Sequence, residues 1–258
     1  MKRNIKSLLG FTMSATDGEI GKVKDFYFDD KTWTIRYLIV ETGSWLYGRK
    51  VLISPEALFA TDWVAETFPV NLTKEQIRNS PDIDTEKPVS RQQEMTLYEH
   101  YPWTGYWSGS LWGGGMGTIG MVTPRPVSDQ QAAYETDSDM AGSESSGDEH
   151  LRSTDKVKGY SIKATDGKIG DVEDFIIDDR TWELDFLVVD TGNWFPGKKV
   201  LISPKWIKEV NWETSSVIVN ASTDAVKNSP EYDRNQYLSD EYSDKLHNYY
   251  GRFITHKQ

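Results

Sequence analysis

An offset of 149 residues lays the second half of this 258-residue chain over the first without a gap, and no other feature limits its fold as much. Thr16-Asp17-Gly18 falls on Thr165-Asp166-Gly167, Ile20-Gly21 on Ile169-Gly170, and Asp25-Phe26 on Asp174-Phe175. Asp29-Asp30, Thr32-Trp33, Trp45 and the run from Lys50 to Pro55 recur as Asp178-Asp179, Thr181-Trp182, Trp194 and Lys199 to Pro204. About 30 of some 70 aligned positions are identical, far above chance for an internal comparison. The chain is therefore two copies of one unit: residues 1–101 and 157–258, each with a helical tail, joined by 102–156.

Within a copy the punctuation is that of short strands. Asp17-Gly18 is a tight-hairpin signal, because glycine tolerates the positive φ that such turns require. Strands are predicted near 10–15 and 20–28, and a turn at Asp29–Thr32 leads into a period-2 strand over Trp33–Glu41 whose end is apolar on both faces. A further strand at 50–53 is stopped by Pro55, and two more near 58–64 and 67–71 make six. The second copy repeats them near 159–164, 169–177, 182–190, 199–202, 207–213 and 216–220. Six short strands in about 65 residues are too few for a sandwich but can curl into a barrel that removes exposed edges. The expectation is a mainly β fold: two tandem six-stranded antiparallel β-barrels, each followed by short C-terminal helices. Thr73 with Gln76 and Ser90 with Gln93 have capping-box spacing, and Ser239 caps a corresponding helix in copy two. Leu97 and Tyr101 align with Leu246 and Tyr250, so the tail belongs to the duplicated unit.

Composition removes several classes of function. A net charge of -11 repels the phosphate backbone, so no nucleic-acid partner is expected. The absence of cysteine excludes disulfides, thiolate catalysis and sulfur-ligated metal sites, and it fits a reducing cytoplasm. The start reaches Thr12, Ser14 and Asp17 before supplying a signal-peptide core, and no segment approaches the about 18 apolar residues of a membrane span. A soluble, cytoplasmic protein is the expectation. The connection divides into an aromatic and glycine-rich stretch over 102–123 and an acidic one over 128–149, whose lack of Lys and Arg and near lack of apolar residues predicts disorder.

The pattern DGEIGKVKDFYFDDKTWTIRYLIVETG followed by KVLISP, and its twin DGKIGDVEDFIIDDRTWELDFLVVDTG followed by KKVLISP, resembles the PRC-barrel family over about 8–72 and 157–221. That family is named for the cytoplasmic domain of the photosynthetic reaction centre H subunit and includes a domain of the ribosome maturation factors. The resemblance implies a six-stranded barrel that serves assembly or interaction and carries no chemistry of its own. The transmembrane helix of the H subunit is missing here, and the tandem arrangement differs from that of the maturation factors.

Two sets of side chains stand out as site candidates. The pairs Asp29-Asp30 and Asp178-Asp179, with Glu41 and Asp190, could hold a hard cation or accept protons, but Asp also favours turns and no Ca²⁺-loop spacing accompanies them. The histidines do not repeat: His100 aligns with Tyr249 and His247 with Tyr98, while His150 and His256 fall in the connection and the tail. No catalytic residue, metal or cofactor is assigned. The second set is the loop carrying Trp45, Leu46, Tyr47 and Arg49, repeated with Trp194, Phe195 and Lys198. Large rings between glycines and beside basic residues are either the anchor of a protein interface or a plug folded back on the barrel end. The reading is a non-enzymatic protein-interaction or assembly module with an unidentified protein partner, in which the two barrels pack against each other within the chain, with a homo-oligomer as the secondary expectation. A peripheral accessory factor of a photosynthetic or electron-transfer complex is the alternative, and an enzyme using the repeated carboxylates is third.

Overall fold

The computed structural model describes residues 1–84, 89–101, 103, 149–192, 198–233 and 238–253. Copy one contains β1 (Lys2–Asn4), β2 (Thr12–Ala15), β3 (Gly18–Asp29), β4 (Thr34–Thr42), β5 (Lys50–Ile53), β6 (Thr67–Pro69), α1 (Lys74–Arg78), β7 (Val89–Ser90) and α2 (Arg91–His100). Copy two contains β8 (Glu149–Ser153), α3 (Thr154–Val157), β9 (Ser161–Lys163), β10 (Lys168–Asp178), β11 (Leu184–Asp190), β12 (Lys199–Ile202), β13 (Ile207–Asn211), β14 (Ser216–Val219), α4 (Thr223–Lys227) and α5 (Asp240–Tyr250). The fold is mainly β, with two tandem barrel-like domains carrying short helices. The capping boxes at Thr73 and Ser90 are both formed, and Ser239 accepts the Tyr242 amide at the start of α5. Leu97, Tyr101, Leu246 and Tyr250 are buried, which docks each tail on its own repeat.

Copy one lays its strands out in the order β5-β4-β3-β2-β6 and copy two in the order β12-β11-β10-β9-β14-β13, and the ladder that joins β2 with β6, or β9 with β14, is parallel: Thr12 pairs with Thr67 and Ser161 with Ser216. This corrects the expectation of wholly antiparallel barrels. Tracing the antiparallel pairs shows that β12 and β13 run in the same sense. The chain therefore does not reverse at Ser203-Pro204; a single 3₁₀ turn, capped by the Ser203 hydroxyl, kinks it and sends it onward. Ser54-Pro55 does the same in copy one. The strand expected near 58–64 is reduced there to two isolated bridges, Leu58 with Val70 and Asp62 with Thr67. Pro69 stands where copy two has Ile218 and has no amide hydrogen to complete that ladder.

The larger departure is at the two N-terminal strands. Both sheets have seven strands, because each takes one from the other repeat. β1 pairs with β10, Lys2 opposite Asp178 and Asn4 opposite Ile176, while β8 pairs with β3, Leu151 opposite Asp29 and Ser153 opposite Tyr27. Residues 149–156, assigned by the sequence reading to the connection, thus form a strand and most of a helical turn that ends at Val157. The exchange explains why Phe26-Tyr27-Phe28 and Phe175-Ile176-Ile177 are buried without alternation: one face meets its own core and the other meets the partner repeat.

Candidate interaction site

The loop between β4 and β5 is held from inside. Thr42 donates its amide and hydroxyl to the Arg49 carbonyl, at 2.9 and 2.8 Å, closing the loop at its base. Trp45 turns inward: its Nε1 donates to the Ile20 carbonyl at 2.6 Å and its ring packs against the core, with Lys74 Nζ 4.8 Å from the ring centre. Leu46 packs beside it. Tyr47 then takes a left-handed conformation, φ +56°, and projects outward, 96% exposed. A non-glycine residue in this region is uncommon, and here it decides which ring folds back and which faces solvent.

Arg49 is also engaged internally. Its guanidinium donates to the carbonyls of Arg78, Ser80 and Pro81 at 3.2, 2.8 and 2.9 Å, satisfying the orphan acceptors at and beyond the C-terminal end of α1, where a cation is favoured. Lys198 repeats the arrangement, donating to the carbonyls of Lys227 and Ser229 at 2.5 and 2.8 Å. Burial pushes its ammonium pKa down. Trp194 and Phe195 lie outside the described residues, as do 102 and 104–148 of the aromatic and acidic connection. Among the described site residues, Tyr47 is the one that presents an exposed ring. Arg49→Ala is expected to lower stability by about 1–3 kcal/mol, because three charge-assisted bonds to backbone carbonyls are lost together; urea titration measures it.

The acidic pairs divide their labour. Asp29 accepts the amides of Lys31 and Thr32, both at 2.9 Å, and Asp178 accepts the Arg180 amide at 2.9 Å, so the first member of each pair closes its turn. The second member faces the other repeat: Arg152 Nε lies 3.0 Å from Asp30 and Arg3 Nε 2.6 Å from Asp179. The backbone repeats the link, with the Asp30 amide donating to the His150 carbonyl and the Asp179 amide to the Met1 carbonyl, both at 2.9 Å. Burial raises the Asp30 pKa against the lowering effect of Arg152. Arg152 also covers Trp212, and Arg3 covers Trp63. Asp25 accepts the Asp155 amide and the Ser153 and Thr154 hydroxyls, and Asp174 accepts the Lys6 amide. These carboxylates tie the repeats together. Among the described residues no three His, Asp or Glu side chains gather as a cation site.

The aromatic seam obeys the same symmetry. Trp33 and Trp182, at φ +55° and +59°, offer their carbonyls to Leu184 and Ile35 of the opposite repeat, each at 2.8 Å. The Trp182 ring reaches Phe26 and Phe68, at centroid distances of 6.5 and 6.0 Å, and Phe28 meets Phe175 at 6.0 Å. One cluster breaks the symmetry. His150, 1% exposed, places Nε2 2.7 Å from the carboxylate of Glu94, which is wholly buried and also accepts the Tyr37 hydroxyl at 3.0 Å. The equivalent positions are Met1, Ser243 and Phe186. His150, placed in the connection by the sequence reading, is thus a buried anchor of β8.

Sequence reasoning missed Arg3 and Arg152 although they are identical at the same offset of 149, because the first strand of each copy was placed beyond them, near 10–15 and 159–164. No helix among the described residues is long and apolar enough to cross a membrane. A search of curated proteins found no match. The family model of the PRC-barrel domain matches residues 5–76 and 151–226, more than half of the chain; the first segment takes in β2 to β6, and the second takes in β9 to β14 together with residues 151–153 of β8. The chain belongs to the PRC-barrel domain family and carries two copies of that domain.

Proposed function

We propose that this tandem PRC-barrel chain is a non-enzymatic interaction module, in which strand exchange makes one body of two repeats and copy one presents the contact to a protein partner. The observation that carries the reading is Tyr47, 96% exposed on a loop whose neighbours Trp45 and Arg49 are fixed by internal hydrogen bonds. An aromatic side chain displayed on a pre-ordered backbone loses little conformational freedom on binding, which is what an interface anchor requires. The distribution of exposed apolar residues supports placing the contact on copy one. Tyr47, Phe59, Val64 and Met95 are exposed there, and the aligned positions in copy two are Pro196, Lys208, Glu213 and Asp244. At three of these positions, 59, 64 and 95, copy two carries a charged side chain where copy one exposes an apolar one.

The test is recovery of partners from the native host with the intact chain and with Tyr47→Ala. The variant should keep its stability within about 0.5 kcal/mol, since the ring is solvated, and should lose the proteins recovered with the parent. Retention of the same set would remove the loop from the account. Recovery of reaction-centre or light-harvesting proteins would favour an accessory role in such a complex, and recovery of a defined substrate-processing activity would argue against a purely binding role.

A further inference from the structure

The seam between the repeats is isologous. Arg3–Asp179 repeats Arg152–Asp30, the Met1–Asp179 backbone bond repeats His150–Asp30, and Leu184–Trp33 repeats Ile35–Trp182, all at an offset of 149. None of these contacts involves residues 104–148, which join the halves. A repeat 1 edge therefore presents the same acceptor to a β8 strand from its own chain and to one from another chain. From this the geometry points to a second copy of this chain as an alternative strand donor: two chains close into a dimer in which repeat 1 of each exchanges strands with repeat 2 of the other.

Both arrangements satisfy every seam contact, and the two-chain form closes on itself with two-fold symmetry, leaving no acceptor for an exchanged strand unfilled. What separates them is the covalent connection, which sets the concentration of one repeat around the other. For tethers this concentration reaches the millimolar range when short and falls with length, and the connection here includes the 45 residues from 104 to 148. Assembly in trans is consequently favoured where chains fold crowded together. Passing from one form to the other requires both exchanged strands to leave their ladders, along with the buried Glu94–His150 pair, so the two forms interconvert slowly.

Charge reversal at one seam pair provides the test with full-length chains. Asp30→Arg and Arg152→Asp each set like charges against each other inside a single chain. Mixed chains that exchange in trans recover the native pair at one seam and the reversed pair at the other. After co-unfolding and refolding, the mixture should contain a species of twice the 29.5 kDa chain mass, in a fraction on the order of tenfold larger than either variant alone gives. The chain carrying both substitutions should return to a monomer, which shows that the reversed pair folds. A mixture that stays monomeric while the double variant folds overturns the inference. Should the double variant fail to fold, the parent decides: refolding at rising protein concentration must yield a dimer that persists on dilution, and its absence up to millimolar chain refutes exchange in trans.

Discussion

Replacing Glu94 with alanine should cost about 2–5 kcal/mol of unfolding free energy, because two buried polar groups, the His150 imidazole and the Tyr37 hydroxyl, lose that acceptor at about 1–3 kcal/mol each. The His150 imidazole would remain inside β8 without the carboxylate 2.7 Å from Nε2, and Tyr37 would lose the acceptor of its 3.0 Å hydrogen bond. The equivalent substitution in copy two, Ser243→Ala, removes only a 3.3 Å bond to the Ser239 carbonyl and should cost no more than about 1 kcal/mol. Denaturant titration of both variants measures the contrast. Adding His150→Ala to Glu94→Ala should cost less than the sum of the single effects, because the second change removes a group already stranded. Equal losses from Glu94→Ala and Ser243→Ala would mean that the buried pair does not anchor the exchanged strand.

The second large effect is expected at Gly21 and its repeat, Gly170. A β-carbon at Gly21 would lie 2.0 Å from the Glu41 carbonyl oxygen, and at Gly170 the same distance from that of Asp190. The obstacle is backbone of the adjacent strand, so no side-chain rotation relieves it, and the ladder between β3 and β4 or β10 and β11 must open. Gly21→Ala should therefore exceed about 4 kcal/mol, at the extreme of single substitutions. Alanine at the exposed Gly10 meets no atom within 4 Å and suffers only the penalty of its φ of +87°, which makes it the control for general intolerance of glycine replacement. Thermal unfolding of the three variants orders them, and a mild effect at Gly21 would contradict the close strand approach.

How far the fold could be read from residues alone varied with how local its causes are. The turns at Asp17-Gly18 and Asp29-Asp30, the alternation from Trp33 and the stop at Pro55 act within a few residues, and β2, β3, β4 and β5 emerge close to where they are expected. The parallel last strand was hidden because Ser54-Pro55 and Ser203-Pro204 carry the signature of a turn, whereas the chain there kinks without reversing. β1 and β8 were hidden because a three-residue strand such as Lys2-Arg3-Asn4 has no periodicity to detect, and its order comes entirely from an edge contributed by the other repeat. One trace did exist. Phe26-Tyr27-Phe28 is apolar without alternation, the pattern of a strand covered on both faces, and nothing within one six-stranded barrel would cover the outer face.

The site shows the same division. That the loop from Gly43 to Lys50 matters was evident from its rings and charges, but the assignment of each side chain depended on three-dimensional contacts. Arg49 finds the carbonyl end of α1, some 30 residues away in sequence, and Trp45 finds Ile20 on β3, so both become part of the frame. Tyr47 is left outside by a single left-handed residue. Similarly, Asp29 and Asp30 look equivalent in sequence, yet one closes its own turn and the other receives the arginine of the neighbouring repeat.

Reciprocal strand exchange is the claim on which the rest depends, and amide hydrogen exchange on a chain lacking Met1–Asn4 examines it most directly. The Asp179 amide is bonded to the Met1 carbonyl and the Asp30 amide to the His150 carbonyl. With β1 removed, protection should fall at Asp179 and along the adjoining edge of β10, while Asp30 and the edge of β3 keep theirs. Loss of protection at Asp30 with Asp179 unchanged would show that β1 pairs within its own repeat, and would contradict the exchange.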